Sequence, residues 1–393
     1  MDALTTPSSW KKVRLGDIAE IIGGGTPSTQ VTSFWNGSIN WFTPTEIGIT
    51  KYVHKSQRTI TLLGLKKSSA KLLPIGTILL TSRASIGDCA ILKVVATTNQ
   101  GFQSLIPLEK INNEFLYYLM LTLKNKLLKL ASGSTFLEVS PNKIKNLLIP
   151  LPPLNEQIAI ANILSDVDHY LYSLDALILK KESVKKALSF ELLSQRKRLK
   201  GFNQNWQRVR LGDVGKPCMC KRVMKHQTTR YGEIPFYKIG TFGNTADAFI
   251  SKKLFLEYKT KYSFPKKGDI LISASGTIGR AVIYDGKPAY FQDSNIVWID
   301  NDETLVKNDF LFYAYSNIKW NTEHTTILRL YNDNFKNTLI PLPPLNEQVA
   351  IANILSALDS EITSLKNKKR QFENIKKALN HDLMSAKIRV LNK

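Results

Sequence analysis

One eighteen-residue run occurs twice in this chain. LIPLPPLNEQIAIANILS at residues 148–165 returns as LIPLPPLNEQVAIANILS at residues 339–356, and the two differ only where Ile158 becomes Val349. A repeat of that fidelity commits the chain to two copies of one structural unit before any secondary structure is assigned. The same offset of 191 residues carries KKAL at residues 185–188 onto KKAL at residues 376–379. With small insertions the remainder aligns as well. Trp10 followed by VRLGD at residues 13–17 answers Trp206 followed by VRLGD at residues 209–213, and GTILLTSRASIG (76–87) answers GDILISASGTIG (268–279).

Within each copy the texture changes at the proline run. Before it, short apolar stretches at residues 77–81, 90–95, 270–273 and 281–284 are bounded by Gly, Asn, Asp and Ser, which predicts strands and turns. Helical spacing of Leu and aromatic residues predicts one helix at 113–130 and another at 308–317. After the prolines both copies read as a long helix of about 40 residues, or about 60 Å. Pro153 and Pro344 suit a helix start, and Glu156 and Glu347 put negative charge in the first turn, where the helix dipole favours it. Ile160, Ile163, Val167, Tyr170, Leu174, Leu177, Val184 and Leu188 fall on a and d positions, with Leu164, Leu171, Ile178 and Leu192 beside them; Ile351, Ile354, Leu358, Leu365, Phe372, Ile375 and Leu379 repeat the register.

Two such stripes are most economically buried against each other as a coiled coil. Paired antiparallel, the helices would carry the two globular parts at opposite ends of a rigid spacer; paired parallel, both would crowd one end. The fold expected is α+β: two pseudo-symmetric globular domains of mixed strands and helices, separated by two long helices packed as an antiparallel coiled coil. The corresponding boundaries are a first globular domain at 1–150, a central long-helix region at 151–200, a second globular domain at 201–341 and a C-terminal long-helix region at 342–393.

Lys and Arg number 54 against 32 Asp and Glu, a formal net charge of +22 on a chain of 393 residues. Such an excess implies a polyanionic partner or an unusually cationic surface, and nucleic acid is the commonest polyanion. Cys89, Cys218 and Cys220 are too few for a disulfide framework, which fits a reducing compartment. No stretch approaches the roughly 18 uncharged apolar residues of a membrane span. MDALTTPSSWKK at the start lacks the apolar segment of a secretory signal. The expectation is a soluble, cytoplasmic protein.

Catalytic equipment is missing from the sequence. There is no G-x-x-x-x-G-K-[ST] phosphate loop, and the Pro-Pro pairs are followed by Leu154 and Leu345 rather than by the aromatic residue of an adenine methyltransferase motif. The glycine run at residues 23–25 reads as a turn. Cys218, Cys220 and His226 lack a nearby fourth ligand, so no metal site is expected.

The two-copy layout, the W…VRLGD openings, GGGTPS at residues 23–28, ILLTSRASIG with ILISASGTIG, and above all the doubled IPLPPLNEQ run resemble the specificity subunit of type I restriction-modification systems. The resemblance covers essentially the whole chain. It implies that each globular domain is a target recognition domain reading one half of a bipartite sequence in double-stranded DNA; because the two globular parts differ, that sequence is expected to be asymmetric. By the same resemblance, the helices set the unread spacer and dock two methylation subunits, and restriction subunits join through the assembled complex. Leu154, Asn155, Glu156 and Gln157, with Leu345, Asn346, Glu347 and Gln348, are the candidate docking residues. No cofactor is expected on this chain itself; S-adenosylmethionine, ATP and magnesium are expected on the partner subunits.

Recognition requires donors and acceptors that reach base edges, and loops on a rigid scaffold supply them. In the first copy Thr43, Thr45, Glu46, Arg83, Asn99, Gln100 and Gln103 fit that description. In the second, Lys238, Thr241, Asn244, Ser275, Arg280, Gln292, Asp293, Asn295, Arg329 and Tyr331 do. Arg83 suits guanine, and Gln100 or Asn244 suits adenine; each of these residues has the alternative reading of a turn-stabilising polar group. Lys55, Lys66, Lys67, Lys143, Lys252, Lys253 and Lys266 are candidates for phosphate contacts or ordinary solvated lysines. The competing functions are an enzyme with diverged motifs and a non-catalytic interaction scaffold whose basic charge is incidental.

Overall fold

The computed structural model describes residues 9–133, 137–320, 323–324 and 328–390. Residues 1–8, part of the stretch compared with a secretory signal, lie outside them. The chain forms two compact units. Met1–Asp175 and Asn367–Lys393 make the first, and Ala176–Lys366 makes the second.

In the first unit a five-stranded sheet runs in the order Ala19–Gly23, Gln103–Pro107, Ile78–Leu80, Cys89–Leu92, Tyr52–Val53. A second sheet holds Arg58–Ile60, Trp35–Phe42 and Ala96–Thr98. The expected helix forms at Asn113–Leu130, started by Asn112, whose side chain accepts from the Phe115 amide at 2.9 Å. Its Phe115, Leu116, Tyr118 and Met120 are buried against Ile78, Leu80 and Ile91 of the five-stranded sheet. An antiparallel ribbon, Lys11–Arg14 against Leu148–Leu151, ties the opening segment to the proline run.

The second unit repeats the plan. Its four-stranded sheet is ordered Gly215–Met219, Ile296–Asn301, Ile270–Ser273, Ala281–Ile283, and its smaller sheet is Ala248–Ile250, Ile234–Tyr237, Tyr290–Phe291. The ribbon recurs as Gln207–Arg210 with Leu339–Leu342. The helix expected at 308–317 is α-helical over Asn308–Ala314 and tightens to a 3-10 turn at Tyr315–Asn317.

The long helices are Leu154–Leu193 and Leu345–Met384, 40 residues each. They pack together antiparallel. In the first unit Lys369 pairs with Asp175 at 2.6 Å and Lys376 pairs with Asp168. In the second, Lys181 pairs with Glu361 at 2.8 Å, Lys366 with Glu182 at 2.6 Å, and Lys185 pairs with Asp359. The buried seam differs from the expected a and d rows in one respect. Ile160, Leu164, Leu174, Ile178 and Leu192 are interior, whereas Ile163, Leu177 and Val184 are exposed, as is Ile375 on the second helix. The reason is that each helix is covered from two directions, by its partner helix and by its own globular part, so the interior row turns toward the residues first read as flanking.

Among the described residues no helix is long and apolar enough to cross a membrane.

The starts of the long helices are built identically. In the first unit the buried Glu156 carboxylate accepts from the Trp10 indole (3.1 Å) and from Arg389 (2.8 and 3.2 Å). In the second, Glu347 accepts from the Trp206 indole (3.0 Å) and from Arg198 (2.9 and 2.7 Å). Gln157 donates to Pro152 and Lys110 carbonyls and accepts from the Asn112 amide; Gln348 does the same with Pro343, Leu305 and Lys307. These four side chains are therefore spent inside the chain. Of the eight candidate docking residues, only Leu154, Asn155, Leu345 and Asn346 remain exposed.

Replacing Glu156 with Ala leaves an indole donor and a half-buried guanidinium without their acceptor. We expect a loss of about 3 kcal/mol of stability in the first unit, measured by urea denaturation followed through tryptophan fluorescence. An unchanged midpoint would mean that the carboxylate contributes nothing there.

Candidate nucleic-acid interface

The glycine run at residues 23–25 is where the first unit brings its loops together. A Cβ on Gly24 would stand 1.9 Å from the Asn99 carbonyl oxygen, and one on Gly25 would stand 2.3 Å from Ser69 Oγ. Only glycine allows that approach. It places the Thr26 hydroxyl on Gln100, which is exposed, as its donor partner. Asn99 turns back and accepts from the Gly101 amide at 2.8 Å, so it shapes the turn that displays Gln100.

Thr43 and Glu46 are similarly structural. Glu46 accepts from the Thr43 amide and hydroxyl, each at 2.8 Å, and from the Gln57 amide at 2.7 Å. Thr45 lies exposed on the turn they fix. Gln103 is 6% exposed and stands within the five-stranded sheet; a side chain enclosed there does not reach a base edge. Arg83 is exposed and paired with Glu138 at 3.0 Å.

The second unit gathers more of its candidates. Lys238, Gln292, Asp293, Asn295 and Arg329 line one cleft of about 490 Å³. Asn295 Oδ1 accepts from Ser275 (2.7 Å) and from Arg329 (3.2 Å), and Gln292 accepts from the Ile239 amide at 2.9 Å, which leaves its amide nitrogen to donate. Lys238 pairs with Asp247 at 2.8 Å. Thr241 braces the Lys238 turn, and Arg280 donates to the Phe242 carbonyl at 3.0 Å. Asn244 and Tyr331 are exposed and do not line this cleft.

Sequence reasoning missed Arg222, Lys225 and Thr228, which complete the cleft. Arg222 pairs with Asp293 at 2.7 Å. They share their stretch with Cys218, Cys220 and His226, whose spacing is the more conspicuous pattern in the sequence. Cys220 is in fact buried, and burial pushes its thiol up to about 12. Among the described residues no group of three or more His, Cys, Asp or Glu is placed to hold a metal ion. Lys143 is also committed locally, donating at 2.8 Å to the Leu130 carbonyl at the end of a helix, and Lys266 pairs with Asp300 at 2.9 Å.

One backbone crossing is shared by both units and carries different side chains in each. In the first, Ser82 donates its amide to Gly101 (2.8 Å) and its carbonyl accepts from Val139 (3.0 Å); in the second, Ala274 does so with Asn295 and Leu330, both at 2.8 Å. Arg83 and Ser275 follow the crossing at equivalent places, and Glu138 and Arg329 precede it. An Arg–Glu pair in one unit thus becomes a Ser–Arg pair in the other.

The family model for the type I restriction modification DNA specificity domain matches residues 7–181 and again 203–374. The chain belongs to that family. A Haemophilus influenzae relative named as a type I restriction enzyme specificity subunit is 46% identical over 267 residues, 65% of this chain and 67% of that protein. The MjaIX specificity subunit of Methanocaldococcus jannaschii is 29% identical over 415 residues, 98% of this chain and 94% of its own length. Among solved structures, the S subunit of a type I restriction-modification system from M. genitalium superposes with a TM-score of 0.58 at 18% identity, covering 98% of each chain. The protein is a specificity subunit with two target recognition domains, the non-catalytic part of a restriction-modification complex.

Gly24→Ala forces backbone apart where no flexible side chain can yield. We expect it to destabilise the first unit by several kcal/mol, whereas Gly240→Ala, with open space around its Cβ, should stay within about 0.5 kcal/mol. Parallel thermal unfolding of the two variants checks this, and equal melting would refute it.

Proposed function

We propose that the two recognition domains read two different half-sites of an asymmetric, bipartite sequence in double-stranded DNA. The observation that carries this is the contrast between an anchoring frame repeated residue for residue and a shared crossing whose polar side chains differ. Glu156, Gln157, Asp168 and Lys185 recur 191 residues later as Glu347, Gln348, Asp359 and Lys376; Arg83 and Glu138 are replaced by Ser275 and Arg329. Identical frames present different donors and acceptors, which is what two different half-sites require.

In this reading Arg83, Gln100 and Thr45 serve the first half-site. The cleft holding Lys238, Gln292, Asp293, Asn295 and Arg329, with Thr241, Asn244, Ser275, Arg280 and Tyr331 nearby in sequence or bonding, serves the second. Thr43, Glu46 and Asn99 hold the first set in place. Exposed Leu154, Asn155, Leu345 and Asn346, continued by Ile158 and Val349, form matched surfaces for two methylation subunits. Those subunits would carry S-adenosylmethionine, and ATP and magnesium would belong to the restriction subunits that complete a cytoplasmic complex. The long helices would set the number of unread base pairs between half-sites.

Methylation-sensitive sequencing of DNA from cells with and without this chain tests the reading. An asymmetric bipartite motif present only with the chain is expected, and a palindromic motif would overturn it. Arg329→Ala should then relax one base position of one half-site at a cost of about 1–3 kcal/mol, with the other half-site unchanged. If binding by the assembled complex proves insensitive to salt, phosphate contacts are absent and the chain is a scaffold. Deleting one turn from each long helix at matched positions should alter the spacer length in the motif; a folded variant with an unaltered spacer would remove the helices from that role.

A further inference from the structure

We infer that Arg58 reads a guanine in the half-site served by the first recognition domain, and that the GGGTPS loop exists in part to hold the platform beneath it. The inference rests on the proposed DNA-reading role and extends it to a residue that sequence patterns did not single out.

Arg58 opens the strand Arg58–Ile60 and lies opposite Trp41 in the second sheet of the first unit. Its guanidinium carbon is 3.7 Å from the centre of the Trp35 ring and 5.4 Å from that of Trp41. The two indoles meet edge to face, 5.0 Å apart at 87°. Both are buried, and each is pinned by its N–H: Trp41 donates to the Gly25 carbonyl at 2.8 Å and Trp35 to the Ser28 carbonyl at 3.0 Å. The loop therefore fixes the rings, and the Trp35 ring seats the guanidinium over its face.

Arg58 itself is exposed, and among the described residues no carboxylate pairs with it. Arg83 and Arg222, by contrast, are each held by an acid. A guanidinium seated over an aromatic face keeps its N–H donors, which lie in its own plane and point outward. A phosphate also accepts such a fork, but it needs only charge, and exposed Lys55, Lys66 and Lys67 of the same unit already offer that. A fixed planar fork instead suits an acceptor pair lying in one plane, and guanine presents O6 and N7 that way in the major groove. The bond between Thr26 and Gln100 hangs a second candidate reader on the same loop.

The test uses the full chain assembled with its methylation subunits. Arg58→Lys keeps the charge and loses the fork. We expect discrimination at a single guanine of one half-site to fall about 5- to 150-fold, with the other half-site and the salt dependence unchanged. Uniform weakening on cognate and non-cognate DNA, with a reduced salt slope, would assign Arg58 to a phosphate and overturn the inference, as would a wild-type motif profile. A second arm leaves the protein intact: 7-deazaguanine, which lacks N7, is placed at each guanine of the half-site in turn. Weakened binding at one position, with no further loss when Arg58→Lys is combined with it, supports the inference; no dependence on N7 anywhere, or no guanine in that half-site, overturns it. Absence of any bipartite motif with the wild-type chain would be a failure of the DNA-reading role itself.

Discussion

Two buried carboxylates, Glu156 and Glu347, hold this structure to its plan. Each sits in the first turn of a long helix and accepts from an indole and a guanidinium that are remote in sequence. A carboxylate taken out of water is unfavourable unless charge and hydrogen bonds replace the lost hydration. Here the replacement comes from the segment that opens a globular part and from the segment that follows the opposite long helix. The bond set therefore joins three stretches of chain that nothing local would bring together. At the very next residue, the glutamine stitches the same helix start to the loop that precedes a globular helix.

A second set of contacts repeats this logic along the helices. Asp168 accepts from Tyr118 of the first recognition domain at 2.6 Å and pairs with Lys376; Asp359 accepts from Tyr313 at 2.8 Å and pairs with Lys185. Each aspartate fastens a recognition-domain helix and the partner long helix at one point. The first unit adds Lys51, buried, which pairs with Glu114 at 2.5 Å and donates to Tyr118 at 2.9 Å. Tyrosine hydroxyls bonded to carboxylates in buried surroundings stay protonated well above their usual range, and burial is the larger cause for Tyr118 and Tyr313 alike.

The long helices were legible because a 40-residue apolar periodicity bounded by proline has few other meanings, and the helix at Asn113–Leu130 because its Leu and aromatic residues recur at helical spacing. The role of the NEQ residues was not. A charged and an amide side chain at a helix start read as surface by type, and only their distant partners reverse that. A signal did exist: Trp10 and Trp206, and Arg198 and Arg389, are themselves repeated, and residues that recur with the carboxylate are candidates to bond it. The cleft of the second unit was half visible. Glycine-bounded turns pointed to Gln292, Asn295 and Arg329, but which loop faces them depends on sheet packing, so Arg222 and Lys225 were passed over. Arg58 gave no pattern at all, since its significance lies in two rings that are distant in sequence and that the fold places beside it.

The division of charge follows from the same geometry. Lys181, Lys185, Lys366, Lys369 and Lys376 are each matched by a carboxylate across the helix pair, so those lysines cancel locally and add little to the field beyond the seam. The surplus of +22 must then reside on other surfaces, and the exposed lysines of the recognition domains account for part of it. Long-range attraction to a polyanion depends on that unmatched charge, which salt screens within about 8–10 Å. Choice of sequence depends on contacts at hydrogen-bond distance, where screening is weak. In the proposed DNA-reading role the two tasks separate: exposed lysines would draw a duplex in, while Arg329, braced on Asn295, and Gln292, braced on the Ile239 amide, would discriminate once it arrives.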